Sequence, residues 1–330
     1  MAGDVPVTPD LILAAEARLA GHARVTPLLS SPFLDAVAGR RVLVKAECLQ
    51  HTGSFKYRGA RAALSALPEG TEGVLALSSG NHAQGVALAA RELGLKAVIL
   101  MPSDAPRIKL DNTAALGAEV VTYDRATTDR DALAAEMAHA RGLELIHPFD
   151  NRHVIAGQGT VGLEIAAQTD TRGADVLVCC GGGGLTAGVA LALEARAPGL
   201  RVRPVEPEGF DDVARSLRAG QITPNAARPG LCDAILTQAP GQLTFPILQR
   251  LCGPGLVVSD AQALAAMALA YERLKLVLEP GGAVALAAAL FLPDAVEGDT
   301  VIAVATGGNV DRDIFLRALN NGGADAHSPA

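Results

Sequence analysis

One lysine sits in an apolar stretch with a glycine on either side, Thr52-Gly53-Ser54-Phe55-Lys56-Tyr57-Arg58-Gly59-Ala60. An amine held out of water loses its preference for the charged form, so its pKa falls and it becomes nucleophilic. In that state it can form a Schiff base with an aldehyde cofactor. An ordinary surface lysine at a helix start would do none of this, so the residue alone leaves both readings open. Four consecutive glycines stand at Gly181–Gly184, followed by Leu185-Thr186-Ala187-Gly188. Such a run sacrifices backbone entropy and makes sense where main-chain amides must crowd a phosphate. Gly182-x-Gly184-x-x-Ala187 also fits a dinucleotide fingerprint, with Glu206 about 20 residues further on for a ribose. Ser78-Ser79-Gly80-Asn81-His82 is either a helix N-terminus offering donors to a carboxylate or phosphate, or a plain Ser/Asn cap. Thr306-Gly307-Gly308-Asn309 places a hydroxyl beside two glycines, fit for a flat heterocycle or for a turn.

These segments follow short apolar runs that read as strands. The first series predicts strands at Val74–Leu77, Ala97–Met101, Glu119–Tyr123 and Leu143–Ile146, with helices at Asn81–Leu93, Ala105–Leu116 and Asp129–Arg141 between them. The second predicts strands at Asp175–Cys180, Arg201–Val205 and Thr300–Ala305, with helices at Leu185–Arg196, Asp260–Lys275 and Gly282–Leu292. Strand–helix–strand repetition predicts α/β architecture with two open, twisted, mostly parallel sheets flanked by helices. In such sheets ligands gather outside the carboxyl ends of the strands, which is where the polar and glycine-rich turns fall.

The 330 residues leave room for about two domains. A net charge of −7, no Trp and 3% aromatic residues argue against a nucleic-acid partner. Cys48, Cys179, Cys180, Cys232 and Cys252 form neither a CxxC pair nor a zinc pattern, which suits reduced thiols. The N-terminus lacks a basic region followed by an apolar run, and no apolar stretch reaches the ~18 residues of a membrane span. A cytoplasmic protein without a membrane partner is expected.

Taken together, Ser54-Phe55-Lys56, Ser78–His82, Gly181–Gly184 and Thr306–Asn309 resemble, in order and spacing, the fold type II (tryptophan synthase β-like) pyridoxal-phosphate enzymes. Within them the chain is similar to the threonine/serine dehydratase and serine racemase group. Ile146–Asp150, Val154–Thr160 and Glu279–Ala283 carry the likeness further, from about Thr26 to Asp311. The resemblance displaces the dinucleotide reading. It implies a large cofactor-binding domain from residues 1–72 and 150–330 and a small substrate-gripping domain from 73–149.

The resemblance also implies roles. Lys56 would hold pyridoxal phosphate and then act as general base. Gly181, Gly182, Gly183 and Gly184 would cradle its phosphate. Asn81 would meet the ring's 3′ oxygen, and Thr306, where the group usually has Ser, would face the pyridine nitrogen. Phe55 and Glu279 would complete the cofactor site. Ser78, Ser79, Asn81 and His82 would take the substrate carboxylate, and Arg130 a distal one. Ser79 matches a serine that acts opposite the lysine in the racemases. Glu206, the Phe210 carbonyl and Asp212 match a divalent-cation loop, for Mg²⁺ or Ca²⁺. The implied activity is a dehydratase (ammonia-lyase) of a small hydroxyamino acid such as threonine or serine. Hydroxyaspartate dehydratase and amino-acid racemase are the alternatives. A homodimer is expected. The chain ends about 20 residues after Asn309, so a C-terminal regulatory domain is not.

Overall fold

The inner strands of both sheets are buried nearly from end to end, as befits parallel sheets covered on both faces, while edge strands are more exposed. The computed structural model describes residues 6–78, 80–105, 107–124, 127–226 and 229–325. Its strands are β1 Leu28–Ser30, β2 Arg41–Ala46, β3 Gly73–Leu77, β4 Lys96–Pro102, β5 Glu119–Tyr123, β6 Glu144–Leu145, β7 Ala174–Cys179, β8 Leu200–Pro207, β9 Leu256–Val258 and β10 Thr300–Ala305. The helices are α1 Pro9–Leu19, α2 Pro32–Ala38, α3 Lys56–Leu64, α4 Asn81–Leu93, α5 Arg107–Ala115, α6 Arg130–Arg141, α7 Arg152–Gln168, α8 Gly184–Arg196, α9 Asp212–Ala219, α10 Thr244–Leu251, α11 Asp260–Leu269, α12 Pro280–Phe291 and α13 Arg312–Asp325. One sheet has the order β1-β2-β10-β7-β8-β9 and the other β5-β4-β3-β6. Every pairing in them is parallel except β1 with β2.

Register decides where the site falls. Ala305 pairs with Ala46, Val304 with Val178, and Cys179 with Val205. The carboxyl ends of β2, β10, β7 and β8 therefore share one rim, and the turns after them open onto the same space. The expected helix at Asp260–Lys275 is shorter: α11 stops at Leu269, a wider π turn covers Ala270–Leu274, and Lys275 adopts φ +61°. The strand expected at Leu143–Ile146 narrows to two residues.

Helix α3 is a wall common to both sheets. Tyr57, Ala60, Ala63 and Leu64 pack in one apolar cluster with Val74 and Ala76 of β3. Its other face meets α7, which packs on α8. A Cβ on Gly157 would lie 2.5 Å from the Arg58 carbonyl, and one on Gly188 2.4 Å from that of Ile155. Glycine is thus the only residue that lets these helices approach so closely.

Beneath α3 lies a buried ionic cluster. Arg58 holds Glu47 through Nε and Nη2, both at 2.8 Å, and Glu164 through Nη1 at 2.6 Å. Lys45 Nζ reaches Glu164 and donates to the Thr26 carbonyl at 2.7 Å. Burial pushes the Glu47 carboxyl up, but the Arg58 charge and hydrogen bonds outweigh it, and the group ends below its ordinary value. Its stabilising effect is therefore full at neutral pH and is lost as pH falls through that lowered value. Replacing Arg58 by Met leaves Glu47 buried without its counter-ion. It should lower unfolding free energy by about 3–5 kcal/mol in urea titrations. A loss below about 1 kcal/mol, the range of surface pairs, would contradict the cluster's assigned role.

Candidate active site

Lys56 is the first residue of α3. The turn before it is strained and cross-tied. Thr52, a β-branched residue, takes φ +58°, and Gly53 takes φ +74°. Asn309 Nδ2 donates to the Thr52 carbonyl at 2.7 Å, Gly308 N to Gly53 O at 2.9 Å, and Phe55 N to Thr306 O at 3.1 Å. The loops after β2 and β10 thus hold one another, with Ser54 paired to Gly307 as an isolated bridge. The Lys56 amine donates to the Pro148 carbonyl at 3.0 Å and lies 5.1 Å from the Phe55 ring centre. Burial lowers its pKa to about 8, with Glu279 pulling weakly the other way. A sizeable neutral fraction therefore exists at mildly alkaline pH.

Pro148 is followed by Phe149, whose ring stands over the glycine run. A Cβ on Gly182 would lie 2.3 Å from that ring, and one on Gly184 3.0 Å from the Phe149 Cα. Gly183 has φ +90°. Thr244 Oγ1 and Gly241 N both donate to the Gly182 carbonyl, at 2.7 and 3.1 Å. Asp150 fixes the partner segment by accepting from Leu243 N at 2.8 Å. No side chain caps α8, so its first amides face the rim with the positive end of the helix dipole.

Asn81 is pinned on both sides. Its Nδ2 donates to Glu279 Oε1, and its Oδ1 accepts from Asn309 Nδ2, each at 2.6 Å. Burial raises the Glu279 carboxyl to about 8, and the Asn81 hydrogen bond only partly offsets it. Thr306 is buried and its side chain hydrogen-bonds the Cys179 sulfur.

The start of α4 has no side-chain cap, and Ser78 Oγ accepts from Gly80 N at 3.2 Å. His82 turns inward: Nε2 lies 3.0 Å from the Ile146 carbonyl, so this nitrogen carries the proton and Nδ1 is an acceptor. Burial, aided by the Lys56 charge, lowers its pKa to about 3. The ring therefore cannot donate to a carboxylate, and His82 offers its main-chain N–H instead. Ser79 lies outside the described residues. Arg130 stands on the surface, its side chain 61% exposed and 3.8 Å from Asp131.

At the end of β8, Glu206 caps α9, accepting from Val213 N at 2.9 Å and Ala214 N at 2.7 Å. This use leaves it unsuited to a ribose. Burial raises both Glu206 and Asp212, the latter to about 6, and the Asp212 charge raises Glu206 further. Asp212 Oδ2 is buried without a donor. Phe210 is two residues before it, on the same loop. Among the described residues no cluster of three or more His, Cys, Asp or Glu could hold a metal.

The site fits pyridoxal phosphate on its own chemistry. An uncapped helix start with glycines suits a phosphate, and a buried amine of lowered pKa suits an aldehyde. Polar atoms of Ser54, Gln158 and Thr237 are buried without partners, which is costly unless a ligand completes them. Sequence reasoning did not find Pro148, Cys179, Gln158 or Thr237. The stretches Ile146–Asp150 and Val154–Thr160 flagged two of them only as neighbours in a likeness.

Residues 19–307 match the family described as pyridoxal-phosphate dependent enzyme. The chain is 44% identical to an L-threo-3-hydroxyaspartate ammonia-lyase of Pseudomonas sp over 94% of its own length and 97% of the other. It is similar to the crystal structure of a threonine deaminase from T.th., with TM-score 0.87 and 46% identity over 92% of this chain and 99% of that one. It is also similar to maize serine racemase, with TM-score 0.89 and 35% identity over 98% and 100%. The chain belongs to the pyridoxal-phosphate dependent enzymes, in the fold type II group of threonine and serine dehydratases and serine racemases.

The amine must be neutral to attack an aldehyde. The ligand-free chain should therefore capture pyridoxal phosphate with a rate that rises with pH around a midpoint near 8, followed by stopped-flow absorbance. A midpoint near the ordinary lysine value of about 10.4 would contradict the burial assigned to Lys56.

Proposed function

We propose that the chain is an ammonia-lyase that converts a small β-hydroxy-α-amino acid, such as threonine or serine, to a 2-oxo acid and ammonia. The observation that carries this reading is that a dry Lys56 amine and an uncapped glycine turn open on one rim, with an uncapped α4 start across the gap. When bound, the cofactor supplies the electron sink that stabilises charge developing at Cα.

The chain's residues do the rest. Gly181–Gly184 and the first turn of α8 would hold the phosphate. The main-chain N–H groups at the α4 start, with Ser78 and Asn81, hold the substrate carboxylate. Lys56, once free, takes the Cα proton, and the β-hydroxyl departs with a proton as water. Hydrolysis of the remaining enamine returns that water and releases ammonia, so the net loss is NH₃. Thr306 would offer the cofactor ring a neutral hydroxyl rather than a carboxylate. The dry setting of Lys56 keeps water from competing for the proton.

Likeness to an L-threo-3-hydroxyaspartate ammonia-lyase keeps β-hydroxyaspartate among the substrates to test. Arg130, exposed in this structure, is not placed to favour it. Likeness to serine racemases and the presence of Ser79 support racemisation as a second reading. Glu206, the Phe210 carbonyl and Asp212 form the proposed seat for Mg²⁺ or Ca²⁺. Two neighbouring buried carboxyls, whose burial disfavours their charge, fit a hard cation. A homodimer and a small substrate-gripping unit at residues 73–149 belong to the same proposal.

The test is an assay of 2-oxo acid and ammonia with L-threonine, L-serine and the β-hydroxyaspartates in the presence of Mg²⁺. One of these should yield both products in equal amounts, and Lys56→Ala should lower the rate about 10²–10⁴-fold or more. Ser79→Ala should spare elimination and remove racemisation. Interconversion of enantiomers without ammonia would replace the lyase by a racemase, and inertness toward all of them would sink both.

A further inference from the structure

Lys109 and Asp233 face one another across the mouth of the cleft. Lys109 belongs to α5, and Asp233 opens a 3-10 turn at Asp233–Ile235, 124 residues away in the chain. Lys109 Nζ lies 2.8 Å from Asp233 Oδ2. The Asp233 turn rests on the cofactor side of the site. Ile235 Cα is 3.3 Å from where a Cβ on Gly181 would stand, and Ala234 is 3.3 Å from the corresponding point on Gly281. On the other side, α5 packs against α4, whose first turn is the carboxylate seat.

The two partners differ in setting. The Lys109 side chain is 15% exposed and that of Asp233 56%. Burial opposes the charge on Lys109, yet Asp233, Asp311 and Glu279 together outweigh it and keep the ammonium form. Asp233, Asp311 and Glu279 all follow β7 in sequence, whereas Lys109 lies between β4 and β5. The hydrogen-bonded acidic partner of Lys109, Asp233, therefore belongs to the opposite wall and not to the layer of α5.

We propose that the Lys109–Asp233 ion pair is an inter-wall tie that holds the start of α4 at the distance from Lys56 that one small amino acid can span. Lys109 is thus a positioning residue for substrate, acting through α5 and α4. The inference rests on reading this cleft as an amino-acid site. A partly exposed pair shifts an equilibrium only several-fold. That suffices here, because a population shift between wider and narrower clefts multiplies directly into apparent affinity.

The test uses holoenzyme carrying K109M, D233N or both, with K109R as the conservative variant. Amide exchange of residues 107–115 is measured without substrate, then KM and kcat with the best hydroxyamino acid. Each single change should speed exchange in α5 and raise KM about threefold to tenfold while kcat stays within about twofold. The double variant should be no weaker than the weaker single one, because both break the same tie, and K109R should behave as wild type. Effects that multiply in the double variant, a K109R as weak as K109M, or raised KM with unchanged α5 exchange would overturn the proposal. If the wild-type holoenzyme responds to no amino acid, the functional reading fails. The exchange of D233N then decides the tie by itself: faster α5 exchange upholds it, and unchanged exchange ends it.

Discussion

An amine that must react near neutral pH has to be kept dry, and the helix that carries it must not slide. The Arg58 guanidinium meets both needs. It sits two residues after Lys56 and is locked to Glu47 at the end of β2 and to Glu164 on α7. Those contacts fix the rotation and depth of α3. Lys56 then has one direction to point, toward the Pro148 carbonyl. A buried ion cluster is weak evidence for net stability; here its value is that it specifies one seating of α3 between two sheets. The glycines of α7 and α8 serve the same end by allowing backbone-to-backbone approach.

From that seating the chemistry follows by register. Parallel pairing brings the ends of β2, β10 and β7 level, so the lysine turn, the Thr306 turn and the glycine run open on one rim. The end of β3 supplies the fourth turn across the gap. Glu279, Asn81 and Asn309 stitch these turns together. Burial makes Glu279 reluctant to ionise, which limits negative charge near the proposed seat of a substrate carboxylate. The uncapped starts of α4 and α8 add positive potential at the two places where the proposed chemistry puts a carboxylate and a phosphate.

Much of the architecture was legible in the sequence, because short apolar runs alternating with helical segments admit few arrangements. The strand at Thr300–Ala305 and the helix at Asn81–Leu93 coincide with β10 and α4. Less legible were α3 and α7, whose glycines and buried charges mask the apolar period. In the site, Lys56 and the four glycines announce themselves by type and setting. The Pro148 contact, the Thr306–Cys179 pair and the Lys109–Asp233 tie join residues 92, 127 and 124 positions apart, and only topology brings such residues together. His82 shows the converse limit: a histidine at a helix start reads as a donor, yet the Ile146 carbonyl claims its proton. Arg130 reads equally well inward or outward until its helix is placed.

The central claim is that, among the chain's five lysines, Lys45, Lys56, Lys96, Lys109 and Lys275, Lys56 is the amine set for an aldehyde, because its pKa is lowered to about 8 with no carboxylate bonded to it, whereas the buried Lys45 is held by Glu164 and Gln168. Borohydride reduction of the pyridoxal-phosphate-loaded protein, followed by proteolysis and mass spectrometry, reads this directly. The pyridoxyl mass should appear on the peptide containing Lys56 and on no other. Label on Lys109 or spread over the exposed lysines, with Lys56 unmodified, would contradict the account.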